Sequence, residues 1–306
     1  MAIAKRVLLF IVTNILILTM VTIVFQVLGI DRYMAEFGGY EGLLIFCLVW
    51  GMGGAFISLM LSKVMAKWMM GVKIINPRDI SDQRLQELVQ TVHRLSQAAG
   101  IGKPPEVGVY ESPEINAFAT GPSKNNSLVA VSTGLLQRLN HDEMEGVLGH
   151  EVAHIANGDM VTMTLIQGVI NAFVMFLARI IARIIISAMS RDRDGEGASH
   201  FMYFVVVMAL QLVFGVLGSI VVSAFSRWRE FRADSGGARL AGRGKMIAAL
   251  EALKRTYDIH DDQTDDRQAA VAALKISGRK SKLLALLSTH PPLDVRIQAL
   301  RSSDAY

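Results

Sequence analysis

The sequence contains a single cysteine, Cys47, among 306 residues. It lies inside an apolar run, and one cysteine cannot form a disulfide within the chain. A zinc site built on several cysteine thiolates is excluded for the same reason. Any metal bound by this chain must therefore be held by histidine and carboxylate side chains.

Charged residues are also scarce. They make up 19% of the chain, against 52% for hydrophobic residues, and the mean hydropathy is positive. An average soluble domain carries about 25% charged residues. The composition therefore indicates a membrane protein with a soluble part. The modest net charge of +4 gives no reason to expect a nucleic acid partner.

Two charge-free runs near the N-terminus are long enough to cross a bilayer. At about 1.5 Å per residue, residues 7–30 would extend about 36 Å, and a hydrocarbon core is about 30 Å thick. This run is too long for a signal peptide and no small-residue cleavage site follows it, so we expect an uncleaved anchor. The second run is 42–62, in which Gly51 and Ala55 share one helix face and permit a close helix neighbour. Residues 1–62 are thus predicted to form two transmembrane helices.

A further apolar region, residues 159–226, interrupts the polar remainder of the chain. It is charge-free at 161–178 and again at 201–226. Arg179 and Arg183 follow the first of these stretches, and arginine inside a membrane is costly unless it finds a partner or reaches the surface. We expect a hairpin that either crosses the membrane twice or enters it only in part.

Basic residues flank the outer ends of the first two runs, whereas acidic residues prevail between them. By the positive-inside rule both outer flanks are cytoplasmic. The polar segments 63–158 and 227–306 are therefore predicted to be two parts of one cytoplasmic domain. The basic residues concerned are Lys5, Arg6, Lys63, Lys67, Lys73 and Arg78.

The first polar segment predicts a helix followed by a small sheet. Residues 81–100 have apolar residues at helical spacing, with Ser81 or Asp82 as N-cap and Gly100 as stop. Extended runs follow, separated by turn residues, and we expect each to be a strand. The three runs are 106–110, 115–120 and 127–132. A second helix is predicted to begin near Asn140 or His141 and to end near Asn157 and Gly158.

The stretch GHEVAHIANGD, residues 149–159, falls on that second helix. His150 and His154 are four residues apart, so both imidazoles can reach one ion while Glu151 projects beside it. A catalytic zinc site of this HExxH type needs a third protein ligand and leaves a fourth position for water, on which Glu151 would act as general base. The alternative is that the two histidines only cap or pack the helix.

The third ligand does not follow the metzincin pattern, because Asn157 and Met160 occupy its glycine and histidine positions. Beyond the hairpin, SRWREFRADSGGARLAG (226–242) offers Glu230 as a ligand. One helical turn later, Asp234 can hydrogen-bond a ligand histidine and fix its tautomer. Alternatively, the two carboxylates only neutralise neighbouring arginines at the membrane edge.

Three separated motifs in this order, GHEVAHIANGD, SRWREFRADSGGARLAG and STHPPLDVRI (288–297), resemble the HtpX family of membrane-bound zinc metalloproteases of gluzincin type. The resemblance extends over essentially the whole chain. It implies one Zn²⁺ per chain held by His150, His154 and Glu230, with Glu151 catalytic. The implied fold is a mainly α integral membrane protein with up to four transmembrane helices and an α+β zincin-like domain that contains a small sheet.

Two further segments match motifs of this family. The NAFA segment of the family corresponds to Asn116, Ala117, Phe118 and Ala119, which are implied to lie along the cleft. An edge strand there can pair with an extended substrate backbone. The HPP histidine corresponds to His290, for which the resemblance implies a role in stabilising the oxyanion, although an ordinary loop position beside two prolines is the alternative. Only the resemblance points to Arg296, as a partner of a buried carboxylate.

His150 and Glu230 must meet at the metal although about sixty largely apolar residues separate their segments. The hairpin must then make two crossings or none, which places the metal at the cytoplasmic surface of the bilayer. The resemblance implies an endopeptidase of the bacterial inner membrane that cleaves unfolded or misassembled membrane proteins in quality control and stress response.

Two other functions compete with this interpretation. A CaaX-type prenyl protease uses the same chemistry but encloses a larger chamber with more spans. A non-catalytic membrane adaptor would hold a structural metal. A structural site would be closed by a fourth protein ligand, and none is evident near these motifs.

Overall fold

A computed structural model describes residues 39–77, 82–189, 196–262 and 286–302. The expected first membrane helix, 7–30, lies outside these residues. In chain order the elements are α1 (Gly39–Met69), β1 (Lys73–Ile74), α2 (Gln83–Ala98), β2 (Glu106–Tyr110), β3 (Ala117–Ser123), β4 (Asn126–Ser132), α3 (Thr133–Arg138), α4 (His141–Asn157), α5 (Asp159–Met189), α6 (Glu196–Ala241), α7 (Arg243–Asp262) and α8 (Leu293–Ser302).

The chain divides into two compact units, and the three longest helices contribute to both. The helical unit comes from Met1–Ile57, Met163–Phe225 and Leu283–Thr289. The sheet unit comes from Ser58–Thr162, Ser226–Lys282 and His290–Tyr306. Within the described ranges, three helical segments are long and apolar enough to cross a membrane: Gly39–Met69, Asp159–Met189 and Phe201–Ala241.

Small residues set the helix packing of the helical unit. A Cβ atom placed on Gly51 of α1 would lie 2.6 Å from the backbone nitrogen of Ala172 on α5. One turn away, a Cβ on Gly168 of α5 would lie 3.2 Å from the Cβ of Ala55. The two backbones approach this closely only because glycine has no side chain. The predicted close neighbour at Gly51 and Ala55 is confirmed.

The helix predicted at 81–100 is present as α2. Asp82 is its N-cap, and its side chain accepts a hydrogen bond of 2.8 Å from the backbone N–H of Arg84. Gly100 has a φ of 70°, the left-handed conformation that ends a helix. The buried side chains of α2 pack into the main core of the sheet unit, so this helix covers one part of the sheet.

The sheet has the strand order β1-β2-β4-β3. Strands β2 and β4 are parallel, whereas β1 and β3 are antiparallel to their neighbours. The strand expected at 115–120 begins at Ala117 and continues to Ser123, because the chain turns tightly at Lys124 and Asn125 rather than over six residues. Strand β3 is therefore an edge strand of the sheet that the structure describes.

Helix α4 lies at the centre of the sheet unit. It contacts β3, β4, α2 and α7. Its apolar residues Val147, Leu148, Val152 and Ile155 belong to the same core as strand β4, six of whose seven residues are buried. Packing on several sides fixes the helix that carries the HExxH sequence.

Candidate metal centre

Helix α4 is closed at both ends by local interactions. Asn140 is the N-cap: its side chain accepts from the N–H of Glu143, and the Glu143 carboxylate accepts from the N–H of Asn140. At the other end Gly158 has a φ of 71° and donates its N–H to the last turn. These caps confirm the predicted helix and fix the positions of His150 and His154.

The two histidines of the motif face each other at the surface of this core. Their exposures are 8% and 9%, and their Nε2 atoms are 3.1 Å apart. The predicted consequence of the i, i+4 spacing, two imidazoles directed at one point, is therefore observed.

Glycine residues bring the second helix to these histidines. A Cβ on Gly237 of α6 would lie 3.0 Å from the backbone nitrogen of His150, and a Cβ on Gly236 would lie 2.7 Å from the Cβ of Ala153. Any larger residue at these positions would push α6 away from α4. The GG pair in SRWREFRADSGGARLAG is the sequence signal for this close crossing.

Because the crossing is tight, Glu230 reaches both imidazoles. Its Oε2 atom lies 3.4 Å from Nε2 of His150, and its Oε1 atom lies 3.5 Å from Nε2 of His154. Ligand atoms of the three residues all lie within 4.8 Å of one another. The alternative in which Glu230 serves only the neighbouring arginines does not describe this geometry, although Arg229 Nη2 approaches it to 3.5 Å.

The spacing of these atoms fits a zinc ion. Tetrahedral zinc with bonds of about 2.0–2.1 Å places neighbouring ligand atoms about 3.3–3.4 Å apart. The two histidine Nε2 atoms are 3.1 Å apart, and the Glu230 oxygens approach them to 3.4 and 3.5 Å, each histidine being nearest to a different oxygen. One ligand atom from each of the three residues lies within 4.8 Å of the other two, so a modest adjustment of the side chains would bind the ion.

The burial of the Glu230 carboxylate and the groups around it also fit a bound cation. This side chain is 1% exposed, and its oxygens are approached by His290 at 2.9 Å, Arg296 at 3.4 Å and Arg229 at 3.5 Å. Burial of a carboxylate is costly unless opposite charges compensate for it, and a metal ion would add to that compensation.

Each imidazole is backed by a carboxylate on its other nitrogen. Nδ1 of His150 lies 2.9 Å from Oδ1 of Asp234, and Nδ1 of His154 lies 2.6 Å from Oδ2 of Asp159. Such carboxylates fix the tautomer of a ligand histidine and direct its free nitrogen to the metal. Asp234 was expected in this position. Asp159 was not, although it closes the quoted motif and directly follows the helix-ending Gly158.

The charges around His150 act on its protonation. Burial lowers the pKa of His150, but hydrogen bonds to the Asp234 and Glu230 carboxylates outweigh that effect and raise the pKa to about 9. A metal that binds Nε2 must therefore displace a proton at neutral pH.

The remaining candidate residues lie in the same unit. Glu151 is half-buried and follows His150 on α4. The side chain of His290 is exposed, and its Nδ1 atom lies 2.9 Å from Oε2 of Glu230.

The candidate substrate-binding residues lie on or beside β3. Ala117 and Ala119 pack against the core that includes α4, whereas Phe118 faces Tyr110 on the other side of the sheet. Asn116 directly precedes β3; its carbonyl accepts a hydrogen bond from the N–H of Ser132, and its own N–H donates to Oγ of Ser132.

The sequence contains four histidines besides His150, His154 and His290. Among them, His141 is a surface residue whose Nδ1 lies 2.6 Å from Oε1 of Glu87, and Asn140 rather than His141 caps α4. His93 is half-buried on α2. Neither belongs to the group of metal-ligating atoms found within the described ranges.

Comparison with known proteins identifies the family of this chain. Residues 82–304 match Peptidase family M48. Protease HtpX of Shewanella piezotolerans is 54% identical over 301 residues, which cover 98% of this chain and 100% of the relative. The Protease HtpX homolog of Bacillus subtilis is 52% identical over 308 residues, which cover 98% and 99% of the two chains.

A solved structure shows the same fold. The crystal structure of S. mikatae Ste24p superposes with a TM-score of 0.58 at 16% sequence identity. The match covers 92% of this chain but 64% of that one, so this chain spans less than two thirds of its length. The architecture of long helices with a small mixed sheet is thus found in a solved protein. With the family match over 82–304 and relatives above half identity along the whole chain, this chain belongs to peptidase family M48, among the HtpX metalloendopeptidases.

Proposed function

We propose that this membrane metallopeptidase binds one Zn²⁺ through His150, His154 and Glu230. We further propose that it cleaves unfolded or misassembled membrane proteins at the cytoplasmic face, as a quality-control and stress-response enzyme. The observation that carries the proposal is the convergence of His150, His154 and Glu230, whose ligand atoms all lie within 4.8 Å of one another, on the set of three protein ligands typical of a catalytic zinc.

The number of ligands favours catalysis over a structural role. A structural zinc has four protein ligands, whereas a catalytic zinc has three and leaves one position for water or substrate. Within the described part of the chain, the group of convergent ligand atoms contains only the two histidines and Glu230. Three protein ligands support a zinc peptidase and not a non-catalytic membrane adaptor with a structural metal.

The chemistry is divided among a few side chains. Zinc, when bound, supplies a Lewis acid that activates water and polarises the scissile carbonyl. Glu151 accepts the proton of the attacking water and passes it to the leaving amine. Asp234 and Asp159 hold the two imidazoles in place. The exposed His290 is positioned beside Glu230, from where it donates a hydrogen bond to the oxygen that becomes negatively charged.

Strand β3 supports an extended substrate. It is the edge strand next to β4 and it contacts α4, the helix of the HExxH motif. The backbone of an edge strand has hydrogen-bonding groups that a substrate strand can satisfy, as in other cases of β-addition. We assign Asn116, Ala117, Phe118 and Ala119 to this substrate-binding edge. Recognition through the backbone fits an enzyme that acts on unfolded chains of many sequences.

The position of the ligands along the sequence supports membrane proteins as substrates. Asp159, which backs His154, is also the first residue of the apolar helix α5, and Glu230 follows the charge-free run 201–226 by four residues. Basic residues beside the second apolar run indicate that the sheet unit is cytoplasmic. A chain leaving the bilayer on that side would meet the metal near the membrane surface.

The decisive experiment measures metal and cleavage together. The full chain is purified in detergent, its zinc content is determined, and cleavage of an unfolded casein is followed before and after treatment with a chelator. We expect about one zinc per chain, cleavage that stops on chelation and recovery when Zn²⁺ is returned. Cleavage that continues in a chain shown to be metal-free would contradict the proposal.

A second experiment tests the substrate class. The enzyme is reconstituted in vesicles with a membrane protein subunit supplied either alone or with its assembly partner. We expect the unassembled subunit to be cleaved and the assembled complex to be spared. Equal cleavage of both forms would remove the quality-control role and leave the peptidase assignment in place.

A further inference from the structure

The side chain of Arg296 lies next to Asp234, the carboxylate behind His150. The residues alone gave no reason to expect a role for Arg296 at the metal centre. Its side chain is buried, with 6% of the residue exposed. Its Nε atom donates to Oδ2 of Asp234 at 2.7 Å, and its Nη2 atom donates to Oδ1 of the same carboxylate at 2.6 Å. These are two parallel charge-assisted hydrogen bonds, the geometry in which arginine binds a carboxylate most tightly.

Oδ1 of Asp234 is the oxygen that joins this pair to the metal ligand. It lies 2.6 Å from Nη2 of Arg296 and 2.9 Å from Nδ1 of His150. Nη2 of Arg296 is itself 3.4 Å from Nδ1 of His150. The guanidinium therefore sets where that oxygen lies, and the oxygen sets the plane of the imidazole.

The charges of the buried cluster also require Arg296. Glu230, Asp234 and Asp159 are three carboxylates that are each less than 5% exposed. With neutral histidine ligands, a divalent ion compensates for two of these charges, Arg229 approaches Glu230 to 3.5 Å, and the buried Arg296 contacts both Asp234 and Glu230. Removal of Arg296 alone would leave the buried Asp234 carboxylate without its cationic partner, which is unfavourable.

Arg296 is held in place by contacts that do not involve the metal centre. Its neighbours on α8, Ile297 and Leu300, are buried against Met246 and Leu250 of α7. At the end of the same helix the exposed Arg301 lies 2.6 Å from Oε1 of Glu251. Helix α8 is therefore also held by contacts that do not involve the guanidinium of Arg296.

We propose that Arg296 is a positioning residue for the reaction: its two-pronged contact fixes Asp234, which in turn fixes His150 with Nε2 directed at the metal. The C-terminal helix α8 thereby determines the metal affinity of a site formed by α4 and α6. The inference rests on the proposed zinc site. Its test measures zinc binding directly, so that it can fail separately from the proposed function.

The first test compares Arg296→Lys and Arg296→Met with the unchanged chain. Lysine keeps the charge but cannot form two parallel bonds to one carboxylate. We expect both variants to bind zinc about 10- to 100-fold more weakly in competition with a chromogenic chelator, as substitutions behind a ligand histidine typically do. The matched control is Arg301→Met, which removes an exposed arginine from the same helix and should leave zinc affinity unchanged.

The second test asks whether Arg296 acts through Asp234. Nη1 of Arg296 also lies 3.4 Å from Oε2 of Glu230, and the test distinguishes that direct contact from action through Asp234. If Arg296 acts through Asp234, the double variant Arg296→Met with Asp234→Asn should bind zinc no more weakly than Asp234→Asn alone. A residue that only supports the fold would instead add its own loss to that of Asp234→Asn. Thermal unfolding in chelator is recorded for each variant, and Arg296→Lys serves as the comparison if Arg296→Met does not fold.

The outcomes distinguish the role of Arg296 from the proposed peptidase function. Unchanged zinc affinity in Arg296→Lys, or losses that add in the double variant, would overturn the role of Arg296 while the peptidase assignment stands. A chain that binds zinc as described but cleaves no unfolded substrate would remove the proposed function and leave the Arg296 result valid.

Discussion

Oδ2 of Asp159 lies 2.6 Å from Nδ1 of His154, and both residues are buried. The contact spans only five residues because Gly158, between them, takes a left-handed conformation with a φ of 71°. The chain ends one helix and begins another at that point, and the reversal directs the carboxylate back to the last turn of α4. One carboxylate from the start of α5 thus serves His154 as Asp234 serves His150.

Substitution of Asp159 by asparagine should weaken the metal site. The amide keeps the size of the side chain but removes the charge that favours a hydrogen bond from Nδ1 of His154. We expect Asp159→Asn to bind zinc about 10- to 100-fold more weakly in a chelator competition. The exposed Asp142→Asn on the same helix α4 is the control. Equal zinc affinity in the two variants would show that Asp159 does not orient the ligand.

Substitution of Glu151 by glutamine should separate binding from catalysis. The change removes the general base and leaves His150, His154 and Glu230 intact, so zinc content should be unchanged. General-base catalysis contributes about 10²- to 10⁴-fold, and we expect a loss of peptidase activity of that size. Normal turnover by the zinc-loaded variant would assign the base to another residue.

Replacement of Glu230 by alanine should remove both zinc and activity. Its carboxylate is the only one whose oxygens lie within the group of ligand atoms in the described residues. Glu251→Ala, which removes an exposed carboxylate paired with Arg301, is the control. Retention of one zinc by the Glu230 variant would transfer the third-ligand role to a different side chain.

Local patterns in the sequence predicted much of the fold. The strand at 106–110 and the helix around the HExxH motif have the expected bounds within a few residues, because alternation, helical spacing and caps are properties of short segments. The close approach at Gly51 was predicted for the same reason, because small residues on one helix face indicate that another helix can pack closely there. The small-residue pattern does not identify which helix packs there.

Other residues of the metal centre were harder to predict, and Glu230 in particular depends on a tertiary contact that a short segment does not encode. Glu230 lies 76 positions after His154, and their meeting depends on Gly236 and Gly237, which let α6 approach α4. From the sequence, the HExxH motif was needed to choose Glu230 over a surface role. Asp159 lacked even that signal, since its function depends on the backbone reversal at Gly158.

The buried carboxylate of Glu145 on α4 predicts how the sheet unit responds to acid. Burial raises the pKa of Glu145, but Arg94 at 2.9 Å and Lys245 at 3.0 Å outweigh that effect and hold its pKa below the ordinary value of 4.5. A carboxyl group with a lower pKa in the folded chain stabilises the fold at pH values above its unfolded pKa. That contribution is lost as the pH falls from 4.5 through the folded pKa.

Glu145→Gln tests this dependence by removing the titrating group. In chelator, so that zinc does not contribute, the unchanged chain should lose thermal stability as the pH falls below 4.5. The variant should be less stable at neutral pH, where Arg94 and Lys245 lose their partner, and the difference between the two chains should shrink as acid protonates Glu145. Glu251→Gln, at an exposed pair, should follow the unchanged chain. A difference between Glu145→Gln and the unchanged chain that is constant from neutral pH into acid would show that the charge of Glu145 does not stabilise the fold.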